Sequence, residues 1–149
     1  MPLLRPRAVR NDKDQRGRTQ VAAADEDKNL KAVIKWIPTE FIGLYQAVMA
    51  AVPMAEGGAR LLLSGLGIPL CAAWIGFATK PPEAKLAWRQ IILAAVAFTV
   101  WAAAVQSEVL QANIEWWKPW MGTVLLLFGG AFLPVLDKIL KAMGLTQGE

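Results

Sequence analysis

The sequence has no histidine and a single cysteine, Cys71. Without histidine there is no imidazole base for a hydrolase triad, and the commonest metal ligand is missing. One cysteine allows neither an intrachain disulfide nor a thiolate zinc cluster. No metal and no cofactor are expected. Cys71 lies in an apolar stretch, where a lone cysteine behaves as a small buried hydrophobe. Charge is also missing, but only from part of the chain: of 28 charged residues, 14 fall within Met1–Lys35, and long stretches beyond have none. A soluble helix keeps a charged face for water, so uncharged stretches of about 18 residues or more require lipid as the solvent.

No apolar core follows the basic residues of the first turns of sequence, so a secretory signal is not expected there. Pro2 stands where myristoylation needs glycine, and there is no prenylation box at the other end. Anchoring is expected from membrane spans themselves.

The composition of residues 1–24 predicts a disordered basic tail: six cations, Arg5, Arg7, Arg10, Lys13, Arg16 and Arg18, are broken up by Asp12 and Asp14, and little apolar surface is available to offset the entropy of ordering. No aromatic residue interleaves with these cations, so attraction to anionic lipid explains them better than nucleic acid does. Residues 25–37 predict an amphipathic helix lying on the membrane surface. Lys28, Lys31 and Lys35 share one face, Leu30, Ile34 and Ile37 the other, and Asp25, Glu26 and Asp27 sit where a helix start favours acids.

Three uncharged stretches are long enough to cross a bilayer. Leu61–Thr79 has nineteen residues between Arg60 and Lys80; Gln90–Ser107 is rich in alanine; Pro119–Leu136 ends at Asp137. At about 1.5 Å per residue the first reaches roughly 28 Å, close to the hydrocarbon thickness. Pro69 and Pro134 are expected to kink their helices. The small residues Ser64, Gly65, Gly67, Ala72 and Gly76, with the alanines of 90–107, suit close helix approach in lipid. Between the last two stretches, Glu108, Gln111 and Glu115 recur at helical spacing opposite Val109, Leu110 and Trp117, which predicts a short helix flat at the interface.

Residues 36–55 pose the question of topology, with a surface or re-entrant placement as the alternative to a span. Counting 36–55 as a span puts both termini on one side, and 14 of the 16 lysines and arginines then lie on that side, leaving only Arg60 and Lys118 opposite. The bias of cytoplasmic loops toward Lys and Arg favours this arrangement. The reading is therefore an all-α fold: a transmembrane bundle over 36–136 with spans near 36–55, 61–79, 90–107 and 119–136. The basic tail and the surface helix precede it, and a cytoplasmic tail, 137–149, follows. Trp36, Trp88, Trp116, Trp117 and Trp120 fall near span ends, as interfacial aromatics do.

Glu40 is the candidate functional residue, because an acid within a span often marks a proton or ion path. The plainer reading makes it a helix-start acid or a partner for Lys35. Tyr45 and Gln46, deeper in the segment, suit hydrogen bonds between helices. Gly65-x-Gly67 is not a nucleotide loop, since no strand precedes it. No catalytic constellation emerges, and an enzyme is not expected.

Lys35-Trp36-Ile37-Pro38-Thr39-Glu40, followed by Tyr45 and by spans rich in alanine and tryptophan, resembles a group of small bacterial multispan membrane proteins over about residues 33–136. The resemblance implies a bacterial cytoplasmic membrane and brings neither activity nor functional residues. The expected role is a non-enzymatic anchor or assembly subunit, working in the bilayer with a protein partner or a second copy of itself. A holin-like permeabilising protein is the alternative, and an ion-conducting oligomer using Glu40 a third.

Overall fold

Prolines and uncharged runs set the limits of the helices. The computed structural model describes residues 27–78 and 87–145. The expected basic tail, Asp25, Glu26, most of the linker after Thr79 and the last four residues lie outside the described residues. Within them, α1 covers 27–34, α2 Thr39–Ala51 and α3 Gly57–Ala73, which continues as a π-helical turn, Trp74–Ala78. Then come α4 (Trp88–Val105), α5 (Ser107–Asn113) and α6 (Pro119–Ala142). Among the described residues there is no strand, and the fold is all-α.

Helix α2 is shorter than the segment expected from hydropathy because prolines bracket it. Pro38 stands just before its first residue, and Val52, immediately before Pro53, is forced out to φ −95°, ψ 122°. Pro119 opens α6 at the one position where its missing N–H costs nothing. Neither internal proline ends its helix. Pro69 lies inside α3, ahead of the widened π turn, and α6 runs through Pro134 to Ala142. Asp137, Lys138 and Lys141 therefore continue the helix beyond the end of the apolar run. The short helix α5 is present but ends at Asn113, and Val109 is the residue it buries.

Among the described residues, three helical stretches are long and apolar enough to cross a membrane: Gly57–Phe77, Trp88–Val105 and Pro119–Ala142, of 21, 18 and 24 residues. At about 1.5 Å per residue they reach roughly 32, 27 and 36 Å, against about 30 Å of hydrocarbon. The chain is membrane-integral on this count. Its surface agrees: Leu62, Leu66, Leu70 and Phe77 on the α3 stretch, and Phe128, Phe132 and Val135 on α6, are exposed.

Helix α4 is the centre of the bundle. It buries Ile91, Leu93, Ala94, Ala97, Phe98, Trp101 and Ala102, and its alanines let neighbours approach closely, as lipid-embedded packing requires. Antiparallel α3 crosses it where Gly67 meets Phe98; a Cβ on Gly67 would come within 2.6 Å of that ring. Antiparallel α6 crosses where Gly129 meets Val100, again at 2.6 Å from a hypothetical Cβ. Helix α2 lays Phe41, Tyr45 and Met49, one helical face, on α3 and α4. Its two rings join Phe98 and Trp101 in an edge-on cluster, with Tyr45 at 5.1 Å from Phe98 and 5.4 Å from Trp101.

The apolar face of α1 is used for packing. Val33 is wholly buried in the core, and Leu30 and Ile34 pack against it. Asn29 lies against Gly130 of α6, the residue whose carbonyl loses its helical donor to Pro134 four positions on.

Candidate functional site

Polar side chains gather at the two ends of the bundle, and each end solves the problem of a buried cation differently. At one end stands Arg60, in the first turn of α3, only 9% exposed. A helix start is electrically positive, so a cation there gains by reaching elsewhere. The side chain of Arg60 reaches the C-terminus of α2. Its Nη2 donates to Met49 O at 2.8 Å and to Val52 O at 2.6 Å, and its Nε donates to Val52 O at 3.2 Å. These carbonyls belong to the C-terminal turn of α2, where Met49 O has only a long 3.4 Å bond from Val52 N–H, so the guanidinium adds donors and is partly neutralised by them.

A second connection lies one turn along. Ser64 Oγ donates to Arg60 O at 2.8 Å, which uses its only proton. Tyr45 must therefore be the donor in its 2.8 Å contact with Ser64 Oγ. Tyr45 thus makes the interhelical hydrogen bond its depth suggested, whereas Gln46 is exposed.

At the other end Arg89 of α4 meets Asp137 of α6. Nε donates to Oδ1 at 2.7 Å and Nη2 to Oδ2 at 2.8 Å, with side chains 13% and 21% exposed. The planar fork of arginine matches a carboxylate in this side-on way, which fixes the register of the two helices as well as their attraction.

Glu40 is exposed in the first turn of α2. It does not pair with Lys35, whose ammonium lies over the Trp36 ring at 5.2 Å from the centroid. Of the interfacial tryptophans, Trp88, Trp116 and Trp120 are exposed. Trp117 instead is buried, with its indole N–H donating to Ser107 Oγ at 3.0 Å. Trp36 is half-buried, and its indole N–H has no partner among the described residues. Glu40 and the tryptophans do not converge on one centre. Among the described residues, no group of acids and cysteine is placed to hold a metal ion. Cys71 is buried, its Sγ 4.0 Å from Ala94 O.

Sequence reading missed Arg60, which looked like a span boundary, and Gln106, only 6% exposed between α4 and α5. The signal for the first was a solitary cation between two apolar runs, one turn after a Gly-Gly pair. Gln106 carried no signal beyond being an amide at the end of an alanine-rich run. No protein-family model, no curated protein and no solved structure matches the chain.

Proposed function

We propose that the protein is a non-enzymatic membrane anchor or assembly subunit that crosses the bilayer four times with both termini in the cytoplasm. The observation that carries the reading is the filled interior. Phe41, Tyr45, Phe98 and Trp101 pack edge to face or tilted against one another within the bundle, and the buried cation and ion pair sit at opposite ends. Among the described residues, a single copy thus offers no polar path across its middle, and the exposed Glu40 lies off that core.

Helix α2 supplies the fourth crossing. It runs beside α3 from Phe41, near Trp74, to Met49, at Arg60. Its 13 residues cover only about 20 Å. Asn29 of α1 meets α6 at Gly130, seven residues or about 10 Å from the level of Asp137. That is the depth, roughly 5–10 Å, to which interfacial helices sink their apolar face. An in-plane α1 at this depth and an upright α2 together account for about 30 Å. Both the amphipathic surface helix and the fourth span are supported by this arithmetic and by the charge bias of the loops. The bacterial cytoplasmic membrane follows from the resemblance. A protein partner, or a second copy, would be recruited by the cytoplasmic segments; nucleic acid is not part of the reading.

Induced expression with a potential-sensitive dye tests the proposal. An anchor leaves membrane potential and growth unchanged, while rapid depolarisation would replace it with the holin-like lesion. Reporters active only in the cytoplasm, fused to either end, should both give signal; termini on opposite faces would remove the fourth crossing.

A further inference from the structure

At the Arg60 end, α2, α3, α4 and α5 surround a pocket of about 290 Å³, near the lower limit of the roughly 300–1,000 Å³ usual for small-ligand sites. Arg60, Gln106 and Glu108 line it together with Tyr45, Gln46 and apolar residues. Arg60 and Gln106 are buried, and both retain unused hydrogen-bonding capacity. The three donations of Arg60 come from Nε and Nη2, which leaves Nη1 available. The Gln106 side chain does not cap α5 and has no hydrogen-bond partner among the described residues. Its amide is not an orphaned buried group, as the Trp36 indole N–H is; it stays open to the pocket, where a ligand can reach it. Glu108 is exposed and, among the described residues, supplies the only carboxylate on this wall.

A second cavity, of about 190 Å³, shares Gln106 with the first. Its wall is small and apolar, with Gly65, Ile68, Ala102, Ala103 and Leu110. The pair of cavities therefore offers a cation, an amide and an anion on one side of Gln106 and a hydrocarbon-like groove on the other. Both lie where α2 and α4 end and α3 begins, which is headgroup depth for spans of this length. A small soluble anion would leave Glu108 repelling it and the groove without a role.

We propose that this end of the bundle binds a membrane lipid with a phosphoethanolamine headgroup. The phosphate takes Nη1 of Arg60 and the Gln106 amide, the primary ammonium takes the Glu108 carboxylate, and one acyl chain lies in the apolar groove. A primary ammonium donates charge-assisted hydrogen bonds that a trimethylated one lacks, and a glycerol headgroup presents no cation to Glu108 at all. The inference needs only a chain embedded in a bilayer, so it stands or falls separately from the anchor reading.

Native mass spectrometry of the full chain from mixed micelles tests it, with phosphatidylethanolamine, phosphatidylglycerol and free phosphoethanolamine as probes. The wild type should retain phosphatidylethanolamine about tenfold better than phosphatidylglycerol, the ratio set by about one charge-assisted hydrogen bond. Glu108→Gln, at an exposed position, should abolish that preference while leaving the thermal melt in lipid-free detergent unchanged. Gln106→Leu should weaken retention of both lipids, since both offer a phosphate. Equal retention of the two lipids by wild type and Glu108→Gln would overturn the proposal, leaving only annular contact. Free phosphoethanolamine binding as tightly as the lipid would overturn the assignment to a lipid.

Discussion

The two ends of the bundle each hold an arginine, yet they neutralise it by different means. Arg89 faces a carboxylate, Asp137, whose cost of burial it shares. Arg60 faces backbone carbonyls of α2 instead. The difference teaches what each contact constrains. A carboxylate pair holds two helices in register and is lost if either side chain goes. A carbonyl clasp holds a helix end whatever its side chains are, and arginine suits it, because Nη2 reaches both carbonyls while Nε adds a second bond to Val52 O.

Removing one partner at the carboxylate end should give the larger effect. Asp137→Ala leaves the guanidinium of Arg89 largely out of water and unpaired, and should cost about 3 kcal/mol, the lower end of the range for broken buried pairs. Replacing both residues with leucine should recover most of that loss in a detergent melt, since no buried charge then remains. A double variant no more stable than the single one would show that the pair does more than cancel itself. At the carbonyl end, Arg60→Leu should cost about 1.5–3 kcal/mol, the usual worth of hydrogen bonds to a charged group. Arg60→Lys should restore little, and a full recovery would mean that charge, not the fork, matters there.

The contrast also explains what the sequence could reveal. Uncharged runs made α3, α4 and α6 legible, because lipid excludes charge over a length that hydropathy measures directly. Their ends were not, since Asp137 and Lys138 continue a helix that has stopped being apolar. The first helix was harder to read, because an apolar face that suits a lipid surface also suits a core, and Val33 is in the core. The Arg89–Asp137 pair left a trace, two opposite charges near the ends of neighbouring spans. The Arg60 clasp left only a solitary cation between apolar runs and nothing to name its acceptors, which are carbonyls that every residue carries. Gln106 was equally silent: its meaning depends on the pocket around it.

A smaller change sharpens the comparison within the Arg60 end. Tyr45→Phe removes the hydroxyl that donates to Ser64 but leaves Ser64 donating to Arg60 O. The loss should be about 0.6 kcal/mol, the average for interhelical side-chain hydrogen bonds in a membrane. The ring still packs between Phe98 and Trp101. A detergent melt that falls as far as that of Arg60→Leu would mean the hydroxyl, and not the guanidinium, holds α2 to α3.

Glu40 gives the smallest expected effect and the sharpest separation of function from structure. It is exposed at the start of α2, where a negative charge gains from the unpaired N–H groups of the first turn. Glu40→Gln keeps the size and the hydrogen-bonding of the side chain and removes only that charge. The cost should be about 0.3 kcal/mol, the lower end for charge–dipole terms at an exposed helix start. Membrane potential on expression should match the wild type, because the buried face of α2 is Phe41, Tyr45 and Met49, and Glu40 lies off it. An ion path through Glu40 predicts the reverse: folding intact, and a wild-type conductance lost with the carboxylate. Pairing the melt with a potential-sensitive dye separates the two. A conductance present in the wild type and absent in Glu40→Gln, at an unchanged melt, would replace the anchor with an ion-conducting oligomer whose path runs outside the aromatic core.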